Sequence, residues 1–496
     1  MTTRTQILSF LRSSAAFCAS GDPSFGATFA RQRQTHLPNA VRANGDKDLR
    51  LAQQQAWDGI ARTRASLVLG PPGTGKTHLL SYLMLGHVWA RGDVGLGSRV
   101  FLTAFTRSAI ENLLSALAKR TAGGPIAPRL LYLGSWTGGA MPLGVELVDL
   151  KASGGRELLA QALQAGPVVV GGTIWKLSDA LGRGALGQPA GETAPVFDLI
   201  AIDEASQLPL SHGLLALAGL AEDGRIVVAG DDRQLPPVNA VSGITVDGKE
   251  FGGSLYAFMK REGIPEFPLE ETFRLSEPLV DFPRSRFYGP SYQSAVPQAR
   301  LQLIPDWDSG LEHWEKIALD PDNSKVVIVH DGPSASVESP FETEMAARLV
   351  ALLKDRMVDS HGAPASEVWA EGLAVISPHR AQGRAIRRRL AGSPGSGDPF
   401  IETIDRIQGK ERDAVILSYA VSDPEFAEME AEFIFSPQRL NVAVTRARSK
   451  LIVLISRRLL DVVPAQHETL EKAEVLRECP SSDDLRLSRR LRNGGS

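Results

Sequence analysis

Gly70-Pro71-Pro72-Gly73-Thr74-Gly75-Lys76-Thr77 matches G-x-x-x-x-G-K-[ST] at every fixed position. Glycines let a backbone turn close to an anion and aim successive N–H groups at phosphate oxygens. Lys76 is then placed to reach the β- and γ-phosphates of ATP, and Thr77 to hold Mg²⁺. Asp203-Glu204 ends an apolar run with two adjacent carboxylates. The first suits direct or outer coordination of Mg²⁺, the second the orientation and deprotonation of an attacking water. Gln234, just ahead of Pro236-Pro237, carries an amide able to contact both a γ-phosphate and that water. Phosphoryl transfer also needs cations where charge spreads in the transition state. Arg274 and Arg446 are candidates, but charge alone does not choose among 54 basic side chains.

The elements that must position these groups are legible as apolar runs. Residues 66–69 read as a strand leading into the octapeptide, and 78–90 repeat Leu79, Leu80, Leu83, Met84 and Val88 at helical spacing. Further strands are expected at 99–102, 167–170, 196–202 and 225–229, with a helix at 108–119. Each polar motif follows a strand, which puts it at the carboxyl edge of a doubly wound parallel sheet, where such α/β folds bind ligands. The pattern repeats with strands at 326–329, 373–376, 401–403, 414–418 and 450–455 and helices at 342–354, 381–390 and 437–445. This second block has no phosphate loop, so it is expected to be a partner that closes over a nucleotide held by the first. The expected division is an amino-terminal appendage (1–47), a first domain (48–266) with a Gly/Pro-rich insertion at about 121–166, a second domain (267–460), and a carboxyl-terminal helix with a basic tail (461–496).

Composition narrows the class. A chain of 496 residues, at roughly 100–200 residues per domain, exceeds one core. Its 43% hydrophobic and 22% charged content is that of an ordinary globular protein, and a formal net charge of −3 means any nucleic-acid surface must be a local patch. The two cysteines, Cys18 and Cys479, have no ligand spacing, which argues against a zinc site or disulfide framework and for a reducing compartment. Arg12 and Ser13-Ser14 interrupt the apolar amino terminus, and no apolar run approaches the ~18 residues of a membrane span, so a cytoplasmic location is expected, nuclear in a eukaryote.

Taken together, the octapeptide, Asp203-Glu204-Ala205-Ser206-Gln207, Gly230-Asp231-Asp232-Arg233-Gln234-Leu235-Pro236-Pro237, residues 403–413 (Thr-Ile-Asp-Arg-Ile-Gln-Gly-Lys-Glu-Arg-Asp) and residues 439–448 resemble the superfamily-one helicases, in the branch of the nonsense-mediated-decay helicase. The resemblance covers about residues 48–456 and implies two tandem RecA-like domains. It further implies that Gln53 contacts the adenine, that Arg274 and Arg446 are γ-phosphate arginines, and that Gln408, Gly409 and Glu411 face the nucleotide. Thr106, Thr173, Pro378 and Thr403 fall where the family contacts the backbone of single-stranded DNA or RNA. The departures are Ile407 for an aromatic, Thr272-Phe273-Arg274-Leu275 for Gln-Tyr-Arg-Met, and Ala104-Phe105-Thr106-Arg107 for Ala-Pro-Ser-Asn. With only 52 residues ahead of Gln53, the β-barrel common in the family is expected to be missing or supplied by a protein partner.

Single-strand binding needs backbone cations and stacking surfaces. Arg384, Arg387, Arg388 and Arg389 offer the first, as a phosphate track or a solvated helix face, and Phe105, Trp136 and Trp175 the second. The expected activity is ATP-driven 5′→3′ movement on a single strand, the alternative an ATP-driven switch that binds a protein partner without unwinding.

Overall fold

A computed structural model describes residues 7, 10–186, 196–237, 244–246, 249–296, 301–358, 369–391, 399–480 and 485–487. It divides into two compact units, Met1–Asp232 with Pro236–Glu271 and Arg233–Leu235 with Thr272–Ser496.

The first unit is built on strands β1 (Ala65–Leu69), β2 (Arg99–Ala104), β3 (Arg129–Leu133), β4 (Val145–Val148), β5 (Val168–Gly172), β6 (Phe197–Asp203) and β7 (Leu220–Gly230). A small antiparallel hairpin, β8 (Ile244–Val246) and β9 (Lys249–Phe251), precedes β10 (Glu266–Pro268). The main sheet runs β10-β1-β7-β6-β2-β5-β3-β4 and every pairing is parallel. Alternate residues feed two separate cores: Leu67, Ile200, Ile202 and Val228 on one face, Val68, Leu199, Ala201 and Val227 on the other. A sheet covered on both faces needs apolar residues at consecutive positions, which is why its strands are unbroken hydrophobic runs. The Gly/Pro-rich 121–166 stretch adds β3 and β4 to the sheet's edge.

The described part of residues 1–47 is no appendage. Phe10 and Phe17 belong to one core of the first unit, and Phe29 packs on Trp57 in the other with ring centroids 5.6 Å apart. The 21–44 stretch, which has no clear apolar period, forms helices Pro23–Thr35 and Leu37–Ala43. The signal is at the first helix's start, where Asp22 Oδ1 accepts the Ser24 N–H (2.9 Å) and Pro23 occupies the first turn. Two buried arginines tie this segment to the sheet. Arg225 donates to the carbonyls of Ala61 (2.9 Å), Thr63 (2.7 Å) and Asp22 (3.4 Å), and Arg64 to Gly224 O (2.9 Å) and Ser20 Oγ (3.0 Å).

The second unit has a two-stranded pair, β11 (Glu271–Ser276) and β12 (Gln293–Val296), and a sheet of β13 (Lys325–His330), β14 (Leu373–Ser377), β15 (Phe400–Thr403), β16 (Arg412–Ser418), β17 (Ala447–Ser456) and β18 (Leu485–Leu487). The order β15-β14-β16-β17-β13-β18 is again all parallel. Val327, Ile376, Leu417 and Val453 enter one core, Ile328, Val375, Ile416 and Leu454 the other. Two doubly wound sheets of this kind are the RecA-like pair expected. The carboxyl-terminal expectation needs amending: after helix His467–Arg477, residues 485–487 form an edge strand on β13 rather than a basic tail. Leu485-Arg486-Leu487 alternates with a period of two, a signal too short to stand out. Arg489, Arg490 and Arg492 lie outside the described residues.

Lys450, on β17, is completely buried and donates to the carbonyls of Asp320 (2.9 Å) and Asn323. Burial pushes its ammonium down to about 7, against the pull of the Asp320 charge. Between pH 7 and the unfolded value near 10.5 the unfolded chain holds a proton the folded one has shed, so stability rises with pH, by at most about 1.4 kcal/mol per unit. Urea midpoints measured at pH 7 and pH 9 should show that rise, and Lys450→Met should flatten it.

Candidate active site

The phosphate loop bridges β1 and helix Lys76–Asp93, whose first turn aims its free N–H groups into the loop. Gly73 (φ 76°) and Gly75 (φ 77°) take the left-handed backbone that reverses the chain, and the Gly70 N–H donates to Gly230 O (3.0 Å), tying the loop to the end of β7. Lys76 Nζ donates to Gly70 O (2.6 Å). Its side chain lies so close to Gly70 that an added Cβ would sit 2.0 Å from Lys76 Cγ, which explains glycine there. Thr74 Oγ1 closes the turn on Pro71 O (2.8 Å) and Thr77 is half-buried in the helix's first turn.

Asp203 closes β6 and Glu204 follows it, with β7 between this strand and β1. Burial, reinforced by the neighbouring Glu204 charge, pushes the Asp203 carboxyl up to about 6, and the Lys76 ammonium pulls it back. The Asp203 Oδ1 atom accepts the Glu204 N–H (2.8 Å). Glu204 has a left-handed backbone (φ 52°), a conformation that costs a non-glycine residue on the order of 1 kcal/mol and clusters at functional sites. Its carboxylate is held by Gln207 Nε2 (3.2 Å), a positioning contact not read from the sequence although the three-residue spacing carries it. A buried carboxyl short of positive charge, with a threonine hydroxyl in the loop, fits a Mg²⁺ that takes few protein ligands and completes its shell with phosphate oxygens and water. Among the described residues no cluster of three or more His, Cys, Asp or Glu could hold a metal by itself.

Gln53, 3% exposed, is already engaged: Nε2 donates to Thr74 O (3.1 Å) and Oε1 accepts the Arg50 N–H (3.0 Å). The amide thus braces the loop. Gln234 packs with the second unit, where its Oε1 accepts from Arg446 Nη2 (3.0 Å), both side chains being buried. Arg274 donates to Glu411 and to Thr445 O (3.3 Å), so two residues expected at the nucleotide are partners of one another. Gly409 has a left-handed backbone (φ 79°), and beside it Gln408 Nε2 is buried with no partner among the described residues. An orphaned donor of that kind fits a group that donates a hydrogen bond to a ligand.

The four expected strand-contacting residues all stand at carboxyl ends of sheet strands or just beyond: Thr106 after β2, Thr173 after β5, Pro378 after β14 and Thr403 closing β15. Thr106 and Thr173 also cap helices, accepting the N–H of Ala109 (3.2 Å) and Lys176 (3.4 Å). Phe105 and Trp175 beside them are 45% and 62% exposed, whereas Trp136 is partly buried against Tyr132. The arginine cluster on helix Arg380–Leu390 is largely neutralised, Arg387 by Glu402 (3.2 Å), Arg388 by Glu338 (3.1 Å) and Arg389 by Glu344 (2.6 Å).

Two family models, each described as an AAA domain, match residues 53–240 and 252–458. They meet the phosphate loop in one unit and the arginine-bearing segments in the other, in the order of the motifs above. The chain belongs to the superfamily-one helicases. Among curated members of that family it is similar to the DNA replication ATP-dependent helicase/nuclease JHS1 of Arabidopsis thaliana, 25% identical over 86% of this chain and 30% of that protein. It is also similar to DNA2 of Mus musculus, described in the same words, 25% identical over 90% of this chain and 41% of that protein. The chain thus spans less than half the length of these relatives. Among solved structures, that of the PRRSV helicase aligns with a TM-score of 0.36 at 19% identity, over 84% of this chain and 57% of that one. Among the described residues no helix is long and apolar enough to cross a membrane.

Gln53→Ala should weaken binding of fluorescent ATP and GTP analogues by similar factors, of about tenfold for a lost buried hydrogen bond of ~1.4 kcal/mol. A loss confined to ATP would assign Gln53 to adenine reading instead of loop bracing.

Proposed function

We propose that this chain is an ATP-dependent motor that moves 5′→3′ on single-stranded nucleic acid and separates duplexes. The observation that carries the reading is the pairing of a complete phosphate loop with a buried, pKa-raised Asp203 and a backbone-strained Glu204. In this reading Lys76 and the loop amides bind the triphosphate, Thr77 and Asp203 hold Mg²⁺, and Glu204, steadied by Gln207, takes the proton of the attacking water. A bound Mg²⁺ would supply charge neutralisation at the terminal phosphates. Gln234, Arg274 and Arg446 act on the γ-phosphate, and Gln408 with Gly409 and Glu411 faces the nucleotide. Thr106, Thr173, Pro378 and Thr403 track the strand's backbone, with Phe105 and Trp175 as exposed stacking surfaces. The matched relatives are named as ATP-dependent helicases, which supports the reading.

The second reading, an ATP-driven switch on a protein partner, is favoured by the intramolecular neutralisation of Arg387, Arg388 and Arg389. Salt separates the two, because log affinity for a single strand falls linearly with log salt by roughly 0.7 per phosphate contact. A labelled oligonucleotide should therefore bind the wild-type protein steeply less well between 50 and 200 mM salt, a range over which counterion release acts strongly. Single strands should stimulate ATP hydrolysis, and Glu204→Gln should retain nucleotide while losing at least about a hundredfold in turnover, the lower end of general-base effects. Full turnover in that variant would remove the mechanism.

A further inference from the structure

The Glu342 side chain in the second unit is completely buried and accepts bonds from three groups on two separate segments. His330 Nε2, at the end of β13, lies 3.0 Å from Oε1, while Ser418 Oγ, at the end of β16, and the Ala420 N–H reach Oε2 at 2.6 and 2.9 Å. The Gly332 N–H donates to His330 Nδ1 (3.1 Å), so the imidazole hydrogen sits on Nε2 and is given to Glu342. Ser418 Oγ in turn accepts from Gln382 Nε2 (2.9 Å), and Gln382 Oε1 accepts the Ser339 N–H (2.9 Å). Gln382 is also completely buried.

Gln382 is the third residue of helix Arg380–Leu390, a position from which a glutamine commonly turns back on its own helix terminus. Here it reaches across to other elements, and the residue before the helix, His379, makes no side-chain cap. The amino-terminal turn is thereby bolted to β13, β16 and the helix Pro340–Arg356, and among the described residues no side chain caps its first N–H groups. Arg380 and Arg384, one turn apart on this helix, are exposed and, unlike the three arginines that follow them, have no carboxylate within ion-pair distance among the described residues. The network therefore fixes the part of the helix whose charge is not already neutralised.

We propose that Glu342 and Gln382 are positioning residues for nucleic-acid grip: they set the amino-terminal turn of helix Arg380–Leu390 so that Arg380 and Arg384 meet the phosphate backbone of a single strand. The inference rests on the single-strand reading above and adds residues that no motif named. A network with this task acts through the two arginines, whereas one that merely stabilises the fold acts independently of them.

The test is a double-mutant cycle on the full chain, read as the oligonucleotide concentration that half-maximally stimulates ATP hydrolysis. Gln382→Leu should raise that concentration about tenfold, the scale on which a displaced contact group loses function, and leave the rate at saturating oligonucleotide unchanged. Arg380→Ala with Arg384→Ala should raise it at least as much, and adding Gln382→Leu to that pair should raise it no further. Should Gln382→Leu fail to fold, Ser418→Ala, which removes one bond from each of Glu342 and Gln382, should give a smaller shift of the same kind. Additive effects, or variants that match the wild type, overturn the inference. A wild-type protein with no salt-dependent oligonucleotide binding would instead overturn the single-strand reading itself.

Discussion

The covering of both faces of each parallel sheet is the constraint on which the rest depends. With Leu67 and Val68 committed to opposite cores, and Val327 and Ile328 likewise in the second unit, no sheet face is left for polar chemistry. Catalytic and binding groups are driven to the strand ends, where parallel strands present loops and helix amino termini together. Lys76, Asp203 and Glu204 stand there in the first unit, and the His330, Ser418 and Glu342 network stands at the corresponding edge in the second.

At those edges charge is managed in two ways. In the first unit it is left under-compensated: burial and the Glu204 charge raise the Asp203 carboxyl, and the Lys76 ammonium and the Glu204 N–H only partly oppose them. Such a group is poised for a cation, since a fixed positive charge recovers the desolvation penalty. In the second unit the two arginines proposed for the γ-phosphate are held by the protein itself, Arg446 by Gln234 and by Val442 O (2.9 Å), Arg274 by Glu411. An arginine with its geometry already set loses less side-chain entropy when it engages phosphate.

Much of this was legible because a sheet buried on both faces writes itself as consecutive apolar residues. The main strands of both sheets and the helices beside them appear within a few residues of where the sequence puts them. The octapeptide was legible for a different reason: Gly73 and Gly75 answer to backbone angles and Gly70 to the close Lys76 side chain, so residue type alone carries the geometry. The helices Pro23–Thr35 and Leu37–Ala43 were not legible, since Gly26, Ala27 and Ala30 blur the apolar period and the burial of Phe29 depends on Trp57 in another element. Nor was the fate of the arginine cluster. Arg388 and Arg389 are neutralised by glutamates 50 and 45 residues away in sequence, a pairing no local pattern encodes. Gln234 had the right neighbours in sequence, but its amide is held by an arginine 212 residues downstream.

The buried arginines beneath the phosphate-loop strand bear on how the protein is made. Arg225 binds a carbonyl of Asp22, 203 residues earlier in the chain, and Arg64 one of Gly224, 160 residues later. At about 5–20 residues per second, translation separates Asp22 from Arg225 by roughly 10–40 s. Throughout that interval Phe10, Phe17 and Phe29 lack part of their eventual cover, so the nascent amino-terminal helices are a natural client for ribosome-associated chaperones.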